Sequence, residues 1–278
     1  MTPTPGADVQ TASPPASTGL LDLTGRTVLV TGAGQGVGRE VALYCAAHGA
    51  TVVVNDYHAD RAASVAAEIT DGGGAALPET CDVTVFDDVL AMVARVEDAV
   101  GGVDVLVNNA GNAGPVVDGT VPAPPFWETG PQEWDPWLGT NFFGVLHATR
   151  AALPGMVARG WGRVITTISD AGRVGEPNLA VYGGAKAGAA GFSRGLAKAV
   201  GRHGITVNCV SLGSIDTPGV AALNADPEVV RKSLGRYVIR RIGRPDDVAG
   251  MVLFLASGSA SWITGQTYPV NGGYSFAV

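Results

Sequence analysis

Cysteine is scarce in this chain, with Cys45, Cys81 and Cys209 the only three in 278 residues. They are odd in number, far apart and without CxxC or HxxxH company, which excludes a disulfide framework and a zinc site; a reducing cytoplasm is the expected compartment. Charge is sparse as well, at 15% of residues, and its balance is −7. That balance leaves no basic face for phosphate, so no nucleic-acid partner is expected. Residues 1–20, rich in Pro, Thr, Ser and Ala, have neither a basic start nor an apolar run. Neither a secretory signal nor a membrane span is therefore expected there, and the composition predicts a disordered tail. No repeat or low-complexity tract interrupts residues 21–278, which read as a single domain.

What the chain does have is apolar mass and glycine. Hydrophobic residues make up 46% of it, enough for a sizeable core, and its 40 glycines sit where strands turn into helices. Continuous apolar runs mark strands at Thr27–Thr31, Thr51–Asn55, Val103–Val107, Arg163–Ile168, Ile205–Val210 and Gln266–Val270, with a weaker one at Ala75–Cys81. Runs without alternation are those of strands buried on both faces. Helical segments lie between them, at Gly38–Ala47, Asp60–Thr70, Asp87–Val100, Glu133–Leu153, Ala180–Val200 and Asp246–Ala256. This alternation predicts an α/β fold, a doubly wound parallel sheet of about seven strands with helices on both faces, and places ligands at the carboxyl ends of the strands.

Thr31-Gly32-Ala33-Gly34-Gln35-Gly36-Val37-Gly38 follows the first strand and opens the first helix. Glycines there let a pyrophosphate approach the backbone, and the helix start supplies amide donors. The strict GxGxxG spacing is absent, and a tight strand-to-helix connection would read the same way. Asp56 ends the second strand eighteen residues past Gly38, where a carboxylate can accept both adenosine ribose hydroxyls and repel a 2′-phosphate. Tyr57 beside it is not basic and no Arg or Lys precedes Arg61, so the pattern favours NAD over NADP; the bland alternative is a solvated strand-end carboxylate. Cys81-Asp82-Val83 follows the third strand, where Asp82 could reach an adenine amino group.

Tyr182 and Lys186 stand at i and i+4 in a run of Ala and Gly, on one face of a helix. A phenol titrates near pH ~10, and a neighbouring ammonium favours its phenolate, which makes Tyr182 a candidate acid/base. Alone, the spacing is also that of a surface tyrosine beside a solvated lysine.

Together these stretches resemble the classical short-chain dehydrogenase/reductase family. TGxxxGxG stands at Thr31–Gly38, NNAG at Asn108–Gly111, an asparagine at Asn141, Ser169 thirteen residues before Tyr182, and YxxxK at Tyr182–Lys186; the resemblance runs from about Leu21 to Gly273. It implies a Rossmann-type domain in which Tyr182 exchanges the proton with the substrate oxygen and Ser169 hydrogen-bonds that oxygen. Lys186 would bind the nicotinamide ribose and lower the phenol pKa, and Asn141 would hold a water on the proton path. By the same resemblance Gly32, Gln35, Gly36, Val37, Gly38, Asp56, Asp82, Val83, Asn109, Ala110, Gly111, Tyr182, Lys186, Ile215 and Thr217 line the cofactor, with the last two at its carboxamide. A homotetramer is also implied.

Two departures stand out. Leu212-Gly213 replaces the family's Pro-Gly, which would loosen the carboxamide turn. The tract from Gly111 to Asn141 is long, with Gly114-Pro115, Pro122, Pro124-Pro125 and Pro131; its Phe126, Trp127, Trp134 and Trp137 either wall a substrate pocket or anchor the loop. Between Pro218 and Arg244, Arg231, Lys232, Arg236, Arg240 and Arg241 could receive coenzyme A or carrier phosphates, or could form a solvated face diluted by Asp226, Glu228, Asp246 and Asp247. The expectation is an NAD-dependent oxidoreductase of a mainly apolar small alcohol or ketone. The alternatives are a 3-oxoacyl-thioester reductase and a non-catalytic dinucleotide-binding module. The apolar tail Gly273–Val278 is expected to dock on a neighbouring subunit.

Overall fold

A computed structural model describes residues 19–111, 124–218 and 227–276. Most of the expected disordered tail, Gly114-Pro115, Pro122, Asp226, Ala277 and Val278 lie outside them. The elements in order are β1 (Thr27–Thr31), α1 (Gly36–Ala47), β2 (Thr51–Asp56), α2 (Ala59–Asp71), β3 (Ala75–Thr80), α3 (Phe86–Val100) and β4 (Val105–Asn108). They continue with α4 (Pro131–Leu138), α5 (Gly144–Arg159), β5 (Gly162–Ser169), α6 (Ala171–Val174), α7 (Ala180–Val200) and β6 (Ile205–Leu212). The last are α8 (Pro227–Leu234), α9 (Pro245–Ala256) and β7 (Thr267–Val270).

All seven strands run parallel in the order β3-β2-β1-β4-β5-β6-β7, so the chain reverses its winding between β1 and β4. This is the expected doubly wound sheet, and its crevice opens beyond the carboxyl ends of β1 and β4. Neighbouring residues of one strand feed opposite faces. Val28, Val30, Val52, Val54, Val105 and Val107 pack under α1, α2 and α9 with Val41, Val65, Val248 and Val252. Leu29, Val53, Leu106 and Val164 meet Met92 and Val96 of α3 and Ala148, Ala152 and Met156 of α5 on the other side. Strands covered on both faces need apolar residues at every position, hence the unbroken runs. Each margin of the sheet carries a proline, Pro78 in β3 and Pro269 in β7.

One expected element divides. The predicted helix Glu133–Leu153 is α4, a five-residue π turn at Gly139–Phe143, and α5, which runs on to Arg159. Pro136 removes a backbone donor near the break, and π turns recur at functional positions. Gly144 brings the start of α5 so close to the loop after β3 that a Cβ there would meet Val83 Cγ2 at 2.8 Å. Pro154 does not end α5, because Ala151, Ala152 and Met156 around it are buried and packing outweighs the lost hydrogen bond.

The described part of the C-terminal tail is tied to its own chain through Ser275 and the Phe276 carbonyl, while the Phe276 ring stays exposed. Asp170, buried at the end of β5, accepts hydrogen bonds from Ser275 Oγ (2.9 Å), Asn271 Nδ2 (2.6 Å), Ser211 Oγ (2.7 Å) and Arg173 Nη1 (2.9 Å). Arg173 Nη2 also donates to the Phe276 carbonyl at 3.0 Å. A buried carboxylate needs such donors, and that demand draws the tail inward. Among the described residues no helix is long and apolar enough to cross a membrane.

Candidate active site

The two central strands are tied where they end. Thr31 Oγ1, at the tip of β1, accepts the N–H groups of Asn109 and Ala110, both at 3.0 Å. Asn109 Nδ2 donates to the carbonyls of Thr31 and Gly32 at 3.0 and 3.1 Å. The Asn109 carboxamide therefore holds the glycine turn in shape. Gly36 has φ +57°, and a Cβ on it would lie 3.2 Å from Thr217 Cγ2. One on Gly38 would fall 2.2 Å from the Gly32 carbonyl oxygen, so no larger residue fits there. At the start of α1, Gln35 makes no side-chain cap, leaving first-turn amides to serve an anion. A close-approach cradle with amide donors fits a dinucleotide pyrophosphate.

Asp56, 6% exposed at the end of β2, accepts Gly34 N–H on Oδ2 (3.0 Å) and His58 N–H on Oδ1 (2.9 Å). A carboxylate has about four lone-pair sites, so capacity remains for hydroxyls. Arg61 passes beside the same turn, its Cβ 2.5 Å from where a Gly34 side chain would begin. Asp82 Oδ1 accepts Thr84 N–H and Oγ1–H at 2.8 and 2.7 Å, fixing the loop that presents Val83.

The reacting groups converge on the next strand along. Tyr182 and Lys186 project from α7, and the Tyr182 hydroxyl lies beside Ser169 at the end of β5, whose Oγ accepts Ala171 N–H at 3.2 Å. Lys186, 5% exposed, donates from Nζ to the Thr167 carbonyl at 3.0 Å, with Nζ 5.9 Å from the Tyr182 ring centre. Asn141, wholly buried in the π turn, donates from Nδ2 to the Trp137 carbonyl at 3.0 Å. A Cβ on Gly111 would contact both Asn141 Oδ1 (3.1 Å) and Lys186 Nζ (3.4 Å). The motifs of β4, the π turn, β5 and α7 thus meet at one point.

Electrostatics correct one expectation. Burial pushes the Lys186 ammonium down to about 8. Burial also raises the Tyr182 phenol above its ordinary value, and the neighbouring Ser169 offsets only part of that. With the ammonium in place the phenol still lies above its ordinary value, burial being the largest cause. Tyr182 is accordingly protonated at neutral pH and equipped to donate.

The carboxamide turn is tighter than its missing proline implies. Ser214 N–H donates to the hydroxyl of buried Tyr237 at 2.9 Å, and Ile215 pairs with Gly243 in a short parallel bridge. Tyr237 supplies the restraint that a fixed φ at Leu212 would have given, and nothing in the local sequence signals it. Asp170, directly after Ser169, was equally invisible as a hub. The basic run is largely neutralised. Arg231 pairs with Glu228 at 2.9 Å, and Arg241 pairs with Asp247 at 2.6 Å. Arg236 binds Glu176 and the Tyr274 hydroxyl, which in turn donates to Glu176. Lys232 and Arg240 are exposed.

The chain matches the family model described as enoyl-(acyl carrier protein) reductase over residues 32–275. It is 36% identical over 253 residues to 7α-hydroxysteroid dehydrogenase of Escherichia coli strain K12, covering 91% of this chain and 95% of that protein. A 3-oxoacyl-[acyl-carrier-protein] reductase of Synechocystis is 38% identical over 253 residues, covering 90% of this chain and 97% of that one. Among solved structures, a gluconate 5-dehydrogenase from Burkholderia cenocepacia, in complex with NADP and tartrate, superposes with a TM-score of 0.87 at 31% identity, covering 95% of this chain and 100% of that one. These relatives are alcohol/ketone oxidoreductases, and the protein belongs with them to the short-chain dehydrogenase/reductase family.

Proposed function

We propose that the protein is an NAD-dependent oxidoreductase interconverting a secondary alcohol and a ketone on a mainly apolar small molecule. The observation that carries this is the Tyr182 hydroxyl standing beside Ser169 with the Lys186 ammonium buried one turn along α7 and bonded to the Thr167 carbonyl. In reduction, Ser169 orients the substrate carbonyl and the Tyr182 phenol gives its proton to the carbonyl oxygen; in oxidation the phenolate takes the alcohol proton back. Lys186 and Asn141 hold the charge and the proton path behind it. A bound nicotinamide dinucleotide supplies or accepts the hydride at the substrate carbon. Its holders in this reading are Gly32, Gln35–Gly38, Asp56, Asp82, Val83, Asn109–Gly111, Lys186, Ile215 and Thr217. We further propose a homotetramer working in the cytoplasm.

Asp56 supports NAD, since its carboxylate would repel a 2′-phosphate, whereas NADP belongs to the Burkholderia protein. Formation of NADH from a panel of alcohols, followed at 340 nm with both cofactors, tests the reading. Faster turnover with NADP would overturn the cofactor assignment, and no turnover with either would favour a non-catalytic module. Asp56→Ala is expected to raise KM for NAD about ten- to a hundredfold and to narrow the preference, because hydrogen bonds to a charged group contribute about 1.5–3 kcal/mol.

The thioester alternative has the Synechocystis relative in its favour, but the arginines that would receive its phosphates are engaged by carboxylates. We expect kcat/KM for the best small substrate to change less than about threefold between low and physiological salt, and Ala at Arg231 and Lys232 together to leave it intact. A coenzyme A thioester turned over far faster than any free ketone, with steep salt dependence, would decide for the alternative.

A further inference from the structure

The loop aromatics do not behave alike. Phe126 and Trp134 stack with centroids 5.4 Å apart and planes 16° apart, and Trp134 Nε1 donates to Thr129 Oγ1 at 2.8 Å. That pair anchors the loop on itself. Trp127 is 81% exposed. Trp137 is different: its indole and the Tyr182 ring meet edge to face, centroids 5.6 Å apart and planes at 62°, while its carbonyl accepts the Asn141 Nδ2–H. Among the described residues it is the one aromatic ring packed against Tyr182, and it is only half-buried.

We infer that Trp137 sets substrate choice, its indole forming a flat apolar wall beside the proton-transferring phenol that favours secondary alcohols carried on a saturated ring over open-chain ones. The inference rests on the alcohol/ketone reading. Three features make the wall rigid: the contact with Tyr182, the hydrogen bond from Asn141 to its carbonyl, and the π turn that begins two residues later. An indole has two side-chain torsions and loses little freedom when it packs. A cyclic substrate laid against it buries apolar surface without freezing internal rotations, whereas an open chain of equal size must lose them to make the same contact. The advantage belongs to binding, so it appears in KM for the ring substrate more than in kcat.

The test compares 4-tert-butylcyclohexanol with 2-decanol, which have the same carbon number, using NAD and the wild-type, Trp137→Phe and Trp137→Leu enzymes, with NADH binding as the check on folding. The wild type is expected to prefer the ring substrate by at least about tenfold in kcat/KM. Trp137→Leu should bring the ratio close to one, mainly through KM, and Trp137→Phe should fall between. Quenching of intrinsic fluorescence by 4-tert-butylcyclohexanone should be lost in Trp137→Phe, a readout that needs no turnover. An unchanged ratio with both rates reduced equally would make Trp137 only a support for Tyr182 and overturn the inference. So would a wild type that prefers 2-decanol. A wild type inactive on every alcohol and ketone is the distinct failure of the underlying reading.

Discussion

Tyr182→Phe is expected to lower kcat by about 10²–10⁴-fold, the range that removal of a positioned acid/base produces. The substitution keeps the ring and its contact with Trp137 and deletes only the hydroxyl beside Ser169. NADH titration should therefore change little while steady-state turnover collapses in both directions. In the wild type, burial raises the phenol pKa, so alcohol oxidation, which needs the phenolate, should rise with pH above neutrality while ketone reduction holds or declines. A Phe variant that keeps most of its kcat would assign proton transfer to another group.

Lys186→Met should abolish turnover and make the protein more stable. The wild-type ammonium is fully buried with a pKa of about 8 against an ordinary 10.5, so holding it charged at neutral pH costs about 3 kcal/mol. Met restores the volume without the charge, and the loss of the donor to the Thr167 carbonyl takes back about 1 kcal/mol. A net gain of about 2 kcal/mol near pH 7 is expected. Between about pH 8 and 10.5 the unfolded wild-type chain binds more protons at this site than the folded one, so wild-type stability rises with pH across that window. The variant lacks that rise, and its advantage should vanish toward the upper end. Denaturant titrations at pH 7 and pH 10 measure this; a variant less stable at pH 7 would show that Lys186 is a structural asset.

The strands were legible because a residue such as Leu29 must be apolar for one face and Val30 for the other, a constraint local to the strand. Tyr182 and Lys186 show their i, i+4 spacing in the sequence, and Ser169 stands out only through the family resemblance. Tyr237 was not, because its use lies in a hydrogen bond to Ser214, far away in sequence, and a tyrosine in a basic stretch has no periodic partner. Asp170 carries no local signal of its role, because its donors come from Ser211 of β6, from Asn271 just after β7 and from Ser275 in the tail. The sign of the Tyr182 shift escaped for a related reason, since spacing reveals the neighbouring charge and only packing reveals the desolvation.

The prolines at the two margins of the sheet have a consequence beyond this chain's own folding. A strand arriving alongside β3 or β7 needs a continuous row of amide donors, and Pro78 and Pro269 each leave a gap in it. Recruitment of foreign strands, the first step of cross-β growth, is discouraged at both ends of an otherwise open array. Self-association of copies through ladder extension is disfavoured in the same way, which leaves helices and loops as the surfaces on which assembly can be built.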